Sequence, residues 1–311
     1  MFGRIRKTFI NVRDKILTKF LDPIELSSWD DLRDLYEKNK GGWDGWIFRG
    51  QSFPKNENDR ENAAPSLKST LERALERFGL ALDEARKWEY RILRDFKRRC
   101  HLVTTQLPES NNDMEWLALL RHYGGPARLL DWTYSFWVAV YFALDRAKDG
   151  YICEVWAMKA KWWRDLVEAQ HPDLKQVLED YGSNSAQESE LVFRKKDGLG
   201  LWFLNPFRLN ERLAAQQGLF VLPLDVTKSF LTNLDGIVDH NERKKHLALY
   251  RITATPEFLK FCFNELYRMN ISRATMYPGI EGLAQQMENA LAMPQLFAGI
   301  VGELGRPCPS R

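Results

Sequence analysis

Residues 119–144, LLRHYGGPARLLDWTYSFWVAVYFAL, decide the fold. Asn111 and Asn112 begin a helix that runs through Trp116-Leu117-Ala118-Leu119-Leu120 to His122. Gly124-Gly125-Pro126 break it, since two glycines and a proline punctuate a chain more strongly than any other local signal. Arg128-Leu129-Leu130 is short and apolar. After Asp131-Trp132-Thr133 a second helix carries Val138, Ala139, Tyr141, Phe142 and Ala143. Gly150 then turns into Tyr151–Met158, a strand in which large and β-branched residues dominate.

Outward from this unit, helices and strands mix without a repeat, which is the pattern of an α+β protein. Ser27 or Ser28 caps a helix from about Trp29 to Asn39, and Gly41-Gly42 end it. Trp43 to Arg49 reads as a strand closing on Arg49-Gly50-Gln51, followed by a polar loop over 52–65 and helical pattern from Ser66 to Cys100. Residues 160–200 are charged, with Gly182-Ser183-Asn184-Ser185 in the middle, and read as an insertion or a flexible region. Asn210 to Gln217 is short and polar. Gly218–Pro223 and Lys244–Thr253 read as strands, and Pro256–Asn270 as a helix. Near the N-terminus Phe2, Ile5, Phe9, Val12, Ile16 and Phe20 form one apolar helix stripe with a basic opposite face. The expected organisation is a basic amphipathic helix over 1–28, a folded domain over 29–290 and a tail over 291–311.

Composition narrows the function classes. Of 311 residues, 44% are hydrophobic and 28% charged, a globular balance. The eleven tryptophans are expected mostly in the core. No apolar run approaches the roughly 18–20 residues of a membrane span, and no cleavable leader follows Arg4, Arg6 and Lys7. Cys100, Cys153, Cys262 and Cys308 lie far apart, which suits free thiols in a reducing, cytoplasmic compartment. The five histidines form no ligand pattern, so no metal is expected. Net charge is only +3, but cations concentrate at 4–19 and at 86–99. These stripes suit either a local anion-binding surface or two solvated helix faces.

Three segments hold candidate chemistry. Arg49-Gly50-Gln51 ends an apolar strand with a planar cation, a glycine that lets backbone approach closely, and an amide. His122 to Thr133 packs His122, Tyr123, Arg128, Asp131, Trp132 and Thr133 into twelve residues, whereas a structural alternative pairs Arg128 with Asp131 inside the core. Gln216 and Gln217 stand side by side before a strand, near Asn210 and Arg212.

Phe48-Arg49-Gly50, RHYGGPARLLDWT, AVYFAL, NERLAAQQGLF and SRATMYPGIEG (residues 272–282) occur in an order that resembles the FRG domain family over roughly 29–285. Ala127 departs from the family's usual threonine and Glu281 from its frequent aspartate. Asp131-Trp132-Thr133-Tyr134-Ser135, followed by the Val138–Ala143 helix, also looks like the motif order of ADP-ribosyltransferases. That resemblance implies an ADP-ribosyltransferase-like split mixed β-sheet with flanking helices, and NAD as cofactor. It implies Arg49, Asp131, Thr133, Gln217 and Glu281 as catalytic residues. NAD contacts would come from Arg49, Gly50, Gln51, His122, Tyr123, Arg128, Trp132 and Gln216. The missing charge of a glutamine in place of glutamate would come from Asp131, Glu281 or Glu188-Ser189-Glu190. The resemblance further implies a bacterial toxin, toxin–antitoxin or phage-defence effector that modifies RNA, DNA or protein. An antitoxin or other protein partner would meet the N-terminal helix. Two other functions stand beside it: a non-catalytic nucleotide- or RNA-binding module in the same cleft, and a metal-free nuclease with His122 as base.

Overall fold

The structure is a computed structural model that describes residues 21–54, 67–196, 198–207 and 210–290. Residues 1–20 of the expected 1–28 helix, most of the 52–65 loop and the tail lie outside the described residues; within 21–28 the helix is not found, because Ile24–Leu26 is a strand that pairs with Tyr250–Ile252 and belongs to the folded domain. So does Cys308; Cys100, Cys153 and Cys262 are free, buried thiols.

Seven strands form one mixed sheet: β1 (Ile24–Leu26), β2 (Trp46–Pro54), β3 (Leu130–Thr133), β4 (Tyr151–Lys159), β5 (Leu201–Leu204), β6 (Gly218–Pro223) and β7 (Leu247–Thr253). Their order is β1-β7-β4-β2-β3-β6-β5. β1 runs parallel to β7, and every other neighbouring pair is antiparallel. Period-two alternation sends side chains to two cores. Ile47, Trp156 and Met158 enter one; Phe48, Val155 and Ala157 enter the other. Helices Asp113–His122 and Ala160–Gln170 cover the first core, and Trp29–Asn39, Phe136–Leu144 and Pro256–Arg268 the second. The chain is therefore α+β, with a mixed sheet and flanking helices.

Helix Phe136–Leu144 starts where the Ser135 hydroxyl accepts from the Val138 amide at 3.3 Å. It lies directly on β2. A Cβ on Gly50 would sit 1.8 Å from the Ala139 carbonyl oxygen and 2.5 Å from the Ala143 nitrogen. Gly50, Ala139 and Ala143 are small because backbone meets backbone here. The glycine expected to admit a ligand serves helix–sheet contact.

Four expectations change. β2 does not end at Arg49 but continues to Pro54, paired with β4 throughout. Residues 160–196 are no loose insertion: they form helices Ala160–Gln170, Pro172–Tyr181 and Ala186–Arg194. Trp163, Val167, Leu174 and Val192 are fully buried there. Glu188 is neither solvated nor available: it is buried, receives the Trp202 indole N–H at 2.8 Å, and burial pushes its carboxyl up. The stretch before β7 is a helix, His240–His246, and strand begins only at Leu247.

Arg128 is also elsewhere than expected. It is fully buried against Glu89, with its Nε donating to Oε1 at 2.8 Å. Its partner is Glu89 of helix Ala85–Cys100 and not Asp131. Removing one member of a buried pair strands the other charge, whereas replacing both by apolar groups is often neutral. Arg128→Met is expected to destabilise by about 3–5 kcal/mol in urea melts, and Arg128→Met with Glu89→Leu to recover most of it. Gly50→Ala is expected to cost about 3 kcal/mol or more by overpacking. Gly41→Ala, which has open space around the new methyl, should leave the melt unchanged.

Candidate functional site

β2 and β3 share one register pair, Phe48 opposite Thr133. Beyond it the two strands part, and a cleft of about 280 Å³ opens. Phe48, Arg49, Gly50 and Ser52 line it from β2, and Asp131, Trp132 and Thr133 from β3. Arg121 enters from helix Asp113–His122, and Phe142 from helix Phe136–Leu144 with Asp145 and Arg146 just beyond its end. Arg212, Gln216 and Tyr277 complete the wall.

Asp131 organises the arginines. Its main-chain oxygen accepts from Arg49 Nη1 at 2.5 Å, and its carboxylate accepts from Arg121 Nη2. Burial works to raise the Asp131 carboxyl. The guanidiniums of Arg121 and Arg49, with Arg212 behind them, outweigh it and hold the group below its ordinary range. Asp131 is therefore ionised at neutral pH. Arg49 is pulled down to about 10, by burial first, with Asp131 opposing and Arg73 and Arg121 adding repulsion. It stays charged.

At the other end Asp145 accepts from Arg273 Nη1 and from the Tyr141 hydroxyl, each at 2.5 Å. Tyr277 lies between two guanidiniums: Arg212 stands 4.7 Å and Arg273 4.9 Å from its ring centroid. Burial, helped by Asp145, pushes the Tyr277 phenol up, so it remains protonated. The segment that presents it is pinned from below, since Gln216 Nε2 donates to the Met276 carbonyl at 2.8 Å. Gly282 allows the next helix to close in, where a Cβ would meet the Tyr277 carbonyl oxygen at 1.8 Å.

Of the residues expected in the site, Arg49, Gly50, Asp131, Trp132, Thr133 and Gln216 come together on the cleft. The Thr133 hydroxyl donates to the Gln216 carbonyl at 2.7 Å and accepts from the Ser135 amide, so it joins two strand ends. Gln217 does not line the cleft. Its φ of 46° lies in the left-handed region, and its side chain is exposed. Glu281 is exposed too, meeting Gln285 at 3.4 Å. Gln51 is buried on Glu154 at 2.9 Å, and Glu154 also holds Arg251. His122 and Tyr123 lie outside the lining, the histidine half-buried with the exposed tyrosine ring edge-on at 4.8 Å. Burial, with Arg212, lowers the His122 imidazole against the pull of Asp131.

Ser52, Arg121, Phe142, Asp145, Arg146 and Tyr277 are the cleft residues that the sequence pattern did not select as site residues, whereas Arg212 is one it names beside Gln216. Arg121 stands one residue before the His122–Thr133 cluster, and Tyr277 sits within SRATMYPG; the motifs carried both, but not their direction.

Among the described residues no histidine, cysteine and carboxylate cluster suits a metal ion, and no helix is long and apolar enough to cross a membrane. No curated protein and no solved structure matches the chain. Residues 44–151 match the family model of the FRG domain. The match runs from just before β2 to the start of β4, and so takes in Arg49, Arg121, Asp131, Thr133 and Asp145 but neither Gln216 nor Tyr277. The stretch that matches the FRG domain builds the parted strands and both aspartates of the cleft.

Proposed function

We propose that the cleft takes NAD and that the chain is an ADP-ribosyltransferase with RNA, DNA or protein as acceptor, acting as a toxin or phage-defence effector. The observation that carries this is the meeting of Arg49, Asp131, Thr133 and Gln216 at the place where β2 and β3 part. The side chains fit such a substrate: guanidiniums suit a pyrophosphate, and Phe142 puts an aromatic ring on the wall of the cleft. In the reaction the bond from ribose C1′ to nicotinamide breaks, nicotinamide leaves with the electron pair, and an acceptor oxygen or nitrogen bonds C1′ and gives up its proton. Arg49 would hold negative charge. The ionised Asp131 would face the positive charge that develops at the ribose, the kind of preorganised electrostatic help that lowers such barriers.

One observation favours a second reading, a non-catalytic nucleotide-binding module. Both aspartates of the cleft already hold arginines: Asp131 has Arg121 and Asp145 has Arg273. Their charge is largely answered before any ligand enters.

Incubation of the full chain with NAD and mixed RNA, DNA and protein separates the two. The transferase reading expects released nicotinamide together with an ADP-ribose mass addition on one acceptor class. It also expects Arg49→Ala to cut release by at least about tenfold, as loss of a charge-assisted contact implies, while the chain still folds and melts cooperatively, losing no more than the roughly 1.5–3 kcal/mol of its bond to the Asp131 carbonyl. Bacterial growth slowed by the wild-type chain and restored by Arg49→Ala would accompany this. NAD that binds without releasing nicotinamide moves the conclusion to the binding module. An Arg49→Ala chain that unfolds removes Arg49 from the site altogether.

A further inference from the structure

Three residues that line the cleft each carry a buried N–H with no acceptor among the described residues: Arg49 Nε, Arg121 Nε and Trp132 Nε1. Buried donors are almost always hydrogen-bonded, so three orphans on one cavity are a departure that asks for a ligand. The two arginines are not orphaned by disorder. Asp131 fixes both by their outer nitrogens, its carbonyl on Arg49 Nη1 and its carboxylate on Arg121 Nη2. Each guanidinium is thus immobilised with its inner N–H unspent. Trp132 is buried to 2% exposure and can neither turn its indole to solvent nor find a partner from its own strand.

We infer that Arg49, Arg121 and Trp132 form a seat for the diphosphate of a small nucleotide, with Asp131 as the positioning residue that sets both guanidiniums. All three groups only donate, and two are cationic, so the occupant accepts and is anionic. Arg73 adds a third positive charge to the field at Arg49 and Arg121. Donors on three separate side chains suit the several oxygens of a phosphate better than the single plane of a carboxylate, which one guanidinium fork would satisfy. The depth of Trp132 favours a small nucleotide over a nucleic-acid backbone, whose phosphodiesters carry a ribose on both sides. The choice of a diphosphate rests on the nucleotide reading of the cleft, but the anion seat itself does not depend on NAD being cleaved.

The test is calorimetric titration of the full chain with inorganic pyrophosphate, with ADP and with a short unphosphorylated RNA as competitors. Saturable one-site binding is expected, displaced by ADP and not by the RNA. Trp132→Phe keeps the ring and removes the donor; it should weaken pyrophosphate about tenfold. Its thermal melt without ligand should fall only by what the smaller ring leaves unfilled in the core, because no internal hydrogen bond is lost. Arg121→Lys keeps the charge and removes the inner N–H, and should weaken binding to a similar extent. Where Arg121→Lys does not fold, Trp132→Phe decides alone. Absent pyrophosphate binding, equal binding by Trp132→Phe, or displacement by the RNA as effective as by ADP overturns the inference. Pyrophosphate bound with no nicotinamide released leaves the seat standing and removes the transferase; nicotinamide released by a chain that ignores pyrophosphate does the reverse.

Discussion

The site depends on one register pair. β2 and β3 meet at Phe48 and Thr133 and then separate, although both strands continue and are paired on their far sides, β2 with β4 and β3 with β6. Two facing strand edges that part leave backbone groups without a ladder, and such groups must find other partners. Arg49 supplies one: its guanidinium donates to the Asp131 carbonyl in place of a strand amide. The arginine thus closes the backbone account of the opening and places its charge in it at once. That gives Arg49 a structural cost of removal beside its functional one, which is why the melting curve of Arg49→Ala matters as much as its activity.

Charge balance explains how the opening tolerates its cations. Arg49, Arg121, Arg146 and Arg212 line it against Asp131 and Asp145, and Arg273 takes Asp145 from behind. Cations outnumber acids, and some of them are poorly solvated. Burial first, and repulsion among the cations after it, lowers the affinity of Arg49 and Arg73 for their protons. An arrangement that raises its own energy when empty gains when an anion enters, because the ligand supplies the charge the protein withholds. The same balance sets the state of the carboxylate. Asp131 keeps its proton off through the arginines it serves, and that service is what offsets its field toward a substrate.

Much of the fold was legible because local chemistry sets it. Ser28 and Asn112 cap the helices their neighbourhoods announce, and Tyr151–Met158 is a strand through its large alternating side chains. Strand β2 outran its expected end because Gln51 is polar yet buried: Glu154 and Arg251 on the next two strands complete a buried polar row, which no single segment reveals. Residues 160–196 looked solvated because their charges are spread on outer faces, while Trp163, Val167 and Leu174 bury the inner ones. In the site, the arginine at 49 and the Asp131–Thr133 strand end were legible as types in a sequence pattern. Arg128 was not, since its partner Glu89 lies 39 positions away. Gln217 was chosen over Gln216 because adjacent glutamines cannot be told apart until a turn sends one outward, and the positive φ at Gln217 does that.

The Phe48-Arg49-Gly50 triplet shows why a short motif can mark a family without naming a reaction. Alternation along β2 gives each residue a different duty. Phe48 packs edge-on to Trp43 and Phe136 in the second core. Arg49 bridges the parted strands. Gly50 makes room for Ala139. Two of the three duties concern how helix Phe136–Leu144 lies on the sheet, and one concerns the opening. A chain keeps all three for the sake of the parted sheet alone, whatever enters the cleft. Specificity must then come from residues the triplet does not contain, and those reaching the cleft from elsewhere are Arg121, Trp132, Arg212 and Tyr277. Arg121 and Trp132 are held rigidly, one by Asp131 and one by the core, and rigid donors favour one ligand shape over others because no rotamer freedom is lost on binding. Tyr277, packed on the second core and edge-on to Phe142, with the Arg212 and Arg273 guanidiniums against its ring, adds an aromatic wall at the other end. Discrimination between ligands of equal charge therefore falls to the Tyr277 end of the cleft, and recognition of the charge itself to the Asp131 end.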